Sequence, residues 1–200
     1  MTAFASAWAE ISFRAADMKQ SKKITVSAMA IALSVVFMSL GAFIEVLDLT
    51  VAAITSCVMA FVFIEVGKPY TYFVWLGTSV LSFAFFPHSF NWISYLILFG
   101  FYPILKAYIE KTPKALWIPI KLAYFLVGAV LMVAASTYIL GIPFLDEEIS
   151  ISFFKEHMGL LKICVFSALV LALFLYDVFM TVMIRTYFSS IRRRIERFLK

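Results

Sequence analysis

Asp177 stands about 8 residues before Arg185, in a run that is otherwise almost entirely apolar. At ~1.5 Å of rise per residue, its carboxylate lies about 12 Å inside the basic border of that run. An ionisable side chain inside a membrane span costs about 2.5–3.5 kcal/mol at the helix centre, so it is retained with a partner or a function. Lys121 sits at a comparable depth in the preceding apolar run, and its aliphatic stem lets the ammonium reach outward. Lys106 lies shallower in the run before that. The spacing therefore predicts an intramembrane ion pair of Asp177 with Lys121, or else with Lys106, holding helices together. A proton relay is the functional alternative, but relays generally use more than one buried carboxylate.

A second set of polar residues gathers where the apolar runs end: Glu45 and Asp48, then His88, Asn91, Trp92 and Tyr95, then Thr137 and Tyr138. Asn91 and Tyr95 are four apart, on one face of a helix start, with His88 close by. Such a trio can line a small polar pocket with an aromatic wall. The plainer reading is an interfacial aromatic belt with solvated acids beside it. The sequence has no Gly-x-x-x-x-Gly-Lys loop, no His-Glu-x-x-His, no Gly-x-Ser-x-Gly and no close pair of carboxylates within a run. Cys57 and Cys164 lie inside apolar runs without metal-ligand spacing and read as small hydrophobes. Neither an enzyme nor a cofactor or metal site is expected.

The elements that carry these residues follow from composition. Hydrophobic residues make up 64% of the 200 and charged residues 14%, with a mean hydropathy of +0.97. A soluble domain carries about 25% charged residues, so this chain cannot cover itself with polar groups. It reads as an all-α integral membrane protein. The apolar runs predict six spans, at about 24–46, 50–66, 70–86, 90–109, 115–140 and 159–185, within a membrane domain of 21–188. Glu65, Gly67, Lys68 and Pro69 close the second, Pro87 and His88 the third, and Gly141 and Pro143 the fifth. Pro103 inside the fourth predicts a kink, and Pro119 falls in the first turns of the fifth. Residues 1–20 read either as a surface-lying amphipathic extension or as a mis-called start ahead of Met18. Ile151 to His157 reads as a short interfacial turn or helix. Residues 189–200 form a basic tail suited to anionic lipid headgroups.

Net charge +5 and a pI of 9.2 do not point to nucleic acid, because the basic residues fall in the short segments between apolar runs. With both termini in the cytoplasm, every Lys and Arg except Lys155 and Lys162 lies on or near the cytoplasmic side. Those two stand near the acidic run Asp146, Glu147 and Glu148 on the other side. The pattern predicts N-in/C-in topology.

Within the first span, Thr25, Ala28, Ala32, Val35, Ser39 and Ala42 share one helix face. Small side chains let a second helix approach closely, either from the same chain or from a docking protein. Lys22-Lys23-Ile24-Thr25-Val26-Ser27-Ala28-Met29-Ala30-Ile31-Ala32-Leu33-Ser34 resembles the first helix of the substrate-binding S components of energy-coupling factor (ECF) transporters, bacterial vitamin and metal-ion uptake proteins. The resemblance implies a six-helix protein of the bacterial plasma membrane. It implies that Ala28 and Ala32, as an Ala-x-x-x-Ala motif, dock a transmembrane coupling subunit that works with ATPase subunits. It also implies a small-molecule ligand at the outward helix ends, near Glu45, Asp48, Asn91, Trp92, Tyr95 and Tyr138. The first loop, Glu45 to Thr50, is short for a lid over a vitamin. A structural or regulatory membrane protein that assembles through helix and lipid contacts is the alternative.

Overall fold

The computed structural model describes residues 19–44, 47–141 and 158–187, and every regular element among them is helical. Glu45, the extension 1–18, the loop 142–157 with its acidic run, and the tail beyond residue 187 lie outside the described residues. The chain divides into two compact units at Lys114/Ala115.

In the first unit, helix α1 (Gln20–Phe43) turns Ser27, Ala30, Ser34, Met38 and Gly41 inward. Met29, Leu33, Val36, Leu40 and Phe43 point out and are exposed, an apolar surface compatible with contact to lipid. Hydroxyls on the outer side return to the backbone: Thr25 donates to the Ser21 carbonyl at 3.0 Å and Ser39 to that of Val35 at 2.9 Å. Such a bond satisfies the hydroxyl donor within the helix, as a helix apolar enough to cross a membrane requires.

Helix α2 (Asp48–Glu65) is the most enclosed of the long helices of this unit and packs against α1 and against every later helix of the unit. Its Met59, Val62 and Phe63 meet Ala30 of α1, Val74, Ile104 and Ala107 in one core. Gly67, at φ 97°, turns the chain into helix α3 (Lys68–Phe85), with Pro69 in its first turn. That φ lies in the region where a Cβ would be strained.

The next apolar run is not one regular helix. Helix α4 (Phe90–Ser94) passes into a π-helical turn, Tyr95–Phe99, closed by the Gly100 N–H donating to the Tyr95 carbonyl at 2.7 Å. Helix α5 (Tyr102–Ile109) follows, with Pro103 in its first turn. The irregularity thus precedes the proline, the side on which its ring would clash with a regular helix. Gly100 is required there. A Cβ would stand 2.5 Å from the Trp75 ring of α3 and 2.8 Å from the Tyr95 carbonyl oxygen.

The second unit holds helix α6 (Trp117–Ala135), which ends in a π-helical turn at Ser136–Leu140 and a left-handed Gly141, and helix α7 (Met158–Thr186). Lys121, Phe125, Gly128, Ala129 and Met132 are the buried residues of α6. On α7, Leu173, Tyr176, Asp177 and Met180 are buried at spacings of three and one that keep to one face.

Five helical stretches among the described residues are long and apolar enough to cross a membrane: Gln20–Phe43, Asp48–Glu65, Phe90–Ile109, Trp117–Ile139 and Phe166–Thr186. The expected third span is the exception. Helix α3 has the 18 residues of α2, but it begins Lys68-Pro69 and carries hydroxyls along its inner face. Those hydroxyls, Thr71, Thr78, Ser79 and Ser82, are buried among helices, while Phe73, Leu76 and Val80 are exposed.

Candidate functional site

The three helices α1, α3 and α4 bring polar side chains into the interior of the first unit, away from the Lys22/Lys23 end. Asn91, second residue of α4, donates through Nδ2 to the Met38 carbonyl of α1 at 2.6 Å. Gly41 makes room for that contact, since a Cβ there would meet Asn91 Nδ2 at 2.9 Å. One turn further along, Tyr95 is fully buried with its hydroxyl facing that of Thr78 on α3. Ser82 lies one turn from Thr78 on the same inner face, and Ser34 one turn from Met38 on that of α1.

The state of these groups is unusual. Ser34 Oγ, Ser82 Oγ and Asn91 Oδ1 are buried without a hydrogen-bond partner, and the buried Thr78 and Tyr95 hydroxyls have only each other. All five residues are at 0% exposure. Buried polar groups are almost always paired, and an orphan costs about 1–3 kcal/mol. Thr55 and Ser79 in the same unit avoid that cost by bonding to the carbonyl four residues back, both at 2.8 Å. Ser34, Thr78 and Ser82 do not. The arrangement offers hydroxyl donors and acceptors and one amide oxygen to a small polar guest.

The other residues expected at this end are placed differently. Asp48 opens α2 with Oδ1 3.4 Å from the position of a Gly41 Cβ, so its carboxylate borders the Asn91 contact. Trp92 is buried, donates through Nε1 to the Pro87 carbonyl at 3.1 Å, and stacks edge-on with Phe83. His88 is exposed on the turn and does not join the buried cluster. Tyr138 belongs to the second unit and is 88% exposed. Ser34, Thr78 and Ser82 were missed by sequence reasoning. The available signal was the Thr78/Ser82 pair at i, i+4, the only hydroxyl pair at that spacing in the later half of its run.

Ala28 and Ala32 are exposed, and the inward face of α1 is the neighbouring one, Ser27, Ala30 and Ser34. Thr25, Ala28 and Ala32 of the small-residue stripe are therefore not buried against α2 or α3, while Val35, Ser39 and Ala42 are half-buried.

In the second unit, Lys121 Nζ donates to Asp177 Oδ2 at 2.6 Å, with the two residues 8% and 6% exposed. Lys106 belongs to the first unit, where it stands 3.9 Å from Glu110 one turn ahead and 5.8 Å from the Tyr102 ring centroid.

Comparison of the chain with protein-family models, with curated proteins and with solved structures finds no match.

Proposed function

We propose that this protein is a solute-binding membrane subunit of the S-component type, taking a small, polar, uncharged nutrient from outside the bacterial plasma membrane for uptake with an ATP-driven coupling module. The observation that carries the reading is a set of five fully buried polar groups on α1, α3 and the segment from α4 into its π-helical turn, of which Ser34 Oγ, Ser82 Oγ and Asn91 Oδ1 have no hydrogen-bond partner while the Tyr95 and Thr78 hydroxyls face each other. An apolar core gains nothing from such groups, whereas a guest with hydroxyl or amide functions satisfies them. Their chemistry is neutral apart from Asp48 at the border, which argues against an anionic guest. In this reading α3 also crosses the membrane, as the third of six spans, both termini are cytoplasmic, and the cluster lies toward the outer face. The outward-turned Ala28 and Ala32 suit close approach of a coupling-subunit helix.

The test is mass spectrometry of small molecules that co-purify with the intact protein, followed by thermal shift with each compound found. A single polar solute that raises the melting temperature of the native chain, but not of Thr78→Val/Ser82→Ala, is the expected result. A chain that purifies empty and responds to no solute would remove this reading.

A second reading, a structural or regulatory membrane protein, is favoured by Asn91. Its bond to the Met38 carbonyl fastens α4 to α1 without any guest. That reading predicts that Ser82→Ala raises stability, because it deletes a buried hydroxyl that has no hydrogen-bond partner.

A further inference from the structure

Asn91 is held in one amide orientation. Its Nδ2 donates to the Met38 carbonyl at 2.6 Å. A carbonyl oxygen accepts and cannot donate, so a reversed amide would set oxygen against oxygen. The α1 backbone is also close on this side, where a Cβ at Gly41 would stand 2.9 Å from Nδ2. The main chain of Asn91 is tied down as well. Its N–H donates to Ser89 Oγ at 3.3 Å and its carbonyl accepts from Ser94 Oγ at 2.8 Å. Oδ1, the other branch of the amide, is thereby turned away from the Met38 carbonyl, and it is buried without a hydrogen-bond partner.

The groups around it differ in kind. Tyr95 faces Thr78, and the Trp92 ring meets that of Phe83 at 4.9 Å, so α4 runs antiparallel to α3. Asn91, one turn before Tyr95, is therefore level with Ser82, one turn after Thr78. Ala30 shares a core with Val74, and Phe43 meets Phe86 at 5.9 Å, so α1 runs parallel to α3 and Ser34 is level with Thr78. The hydroxyls of Ser34, Thr78, Ser82 and Tyr95 can each turn to donate or to accept. Asn91 Oδ1 can only accept, so it alone imposes a requirement on a guest.

We propose that Asn91 sets the specificity of this site, admitting neutral solutes that present an O–H or N–H donor and rejecting those that offer acceptors alone. The inference rests on the solute-binding reading and names what the solute must carry. An alcohol or an amide with an N–H pairs Oδ1, and its own oxygen accepts from a serine hydroxyl. An ester or ketone of the same size satisfies the hydroxyls but leaves Oδ1 buried and unpaired. A site built to pair a donor discriminates most strongly against the analogue that lacks it.

The experiment uses pairs of probes of nearly equal size that differ in the donor: pyrrolidone and butyrolactone, propionamide and butanone, cyclopentanol and cyclopentanone. Each is titrated against thermal unfolding of the full chain in detergent. At least one donor member is expected to raise the melting temperature, with an apparent affinity about tenfold or more above that of its partner. Asn91→Ala is expected to bring the two members of that pair within about twofold of each other. Asn91→Ser, whose hydroxyl can turn to donate, is a milder variant with the same expected outcome. Equal affinities for the two members on the parent chain would leave solute binding in place and overturn the role of Asn91. A preference that persists in a folded Asn91 variant would overturn it too. No shift with any donor member would also overturn this inference, while the solute that co-purifies with the intact chain decides separately whether the solute-binding reading survives.

Discussion

Lys121 on α6 and Asp177 on α7 meet at 2.6 Å between Nζ and Oδ2, with both side chains at 10% exposure or less. The pair joins two helices whose remaining buried residues are mostly apolar, so each charge stabilises the other. Losing one partner strands a charge, while losing both leaves two ordinary helix positions. Thr181 Oγ1 donates to the Asp177 carbonyl at 2.8 Å and ties the next turn of α7 to the same residue.

Asp177→Asn is therefore expected to destabilise the protein by about 3–5 kcal/mol, and Lys121→Met on that background to restore part of the loss. Thermal unfolding of the two variants in detergent checks this. A double variant no better than the single one would show that the pair does not carry the stability.

Gly41→Ala places a Cβ 2.9 Å from Asn91 Nδ2 and 3.2 Å from Val51 Cβ. The amide must leave the Met38 carbonyl, or α1 must shift, at a cost of about 1–3 kcal/mol. Asn91→Ala removes the obstruction, so the two changes together are expected to cost less than their sum. Melting temperatures of the two single variants and the double variant measure that coupling.

Gly100→Ala meets the Trp75 ring at 2.5 Å, with the Tyr95 carbonyl behind it. The ring, packed at 5.7 Å against Phe101, has to move. The expected result is a lower melting temperature with a changed tryptophan emission. Substituting the exposed Ala123 by a residue of similar added bulk leaves both unchanged.

Ala32→Leu adds bulk on the exposed face of α1. It is expected to leave thermal stability within about 0.5 kcal/mol of the parent, as for other exposed sites. If the face docks a coupling subunit, the same variant fails to co-purify that partner. Normal pull-down would end the case for docking through this face.

For topology, reporter fusions after Lys111 and Lys200 are expected to read cytoplasmic and a fusion after Ile149 to read outside. A cytoplasmic signal at Ile149 would mean that the span count ahead of it is even, so that one of the expected five spans is wrong.

The lengths of the apolar runs, and the stops at Gly67, Pro87 and Gly141, were legible in the sequence, because they depend on local composition and backbone chemistry. The depths of Asp177 and Lys121 could likewise be counted along their runs. Which side of each helix turns inward could not. In lipid both sides of a helix are apolar, so periodicity loses the contrast that marks the buried face of a soluble helix. Only the tertiary arrangement turned Ser34 inward and left Ala32 outside. It likewise sent Asn91 to the Met38 carbonyl and His88 to the surface, although the two are three residues apart. The π-helical turn before Pro103 was also undecided by the sequence. The proline demands a local irregularity, but its form follows from the Trp75 ring lying against Gly100, a contact across 25 residues of chain.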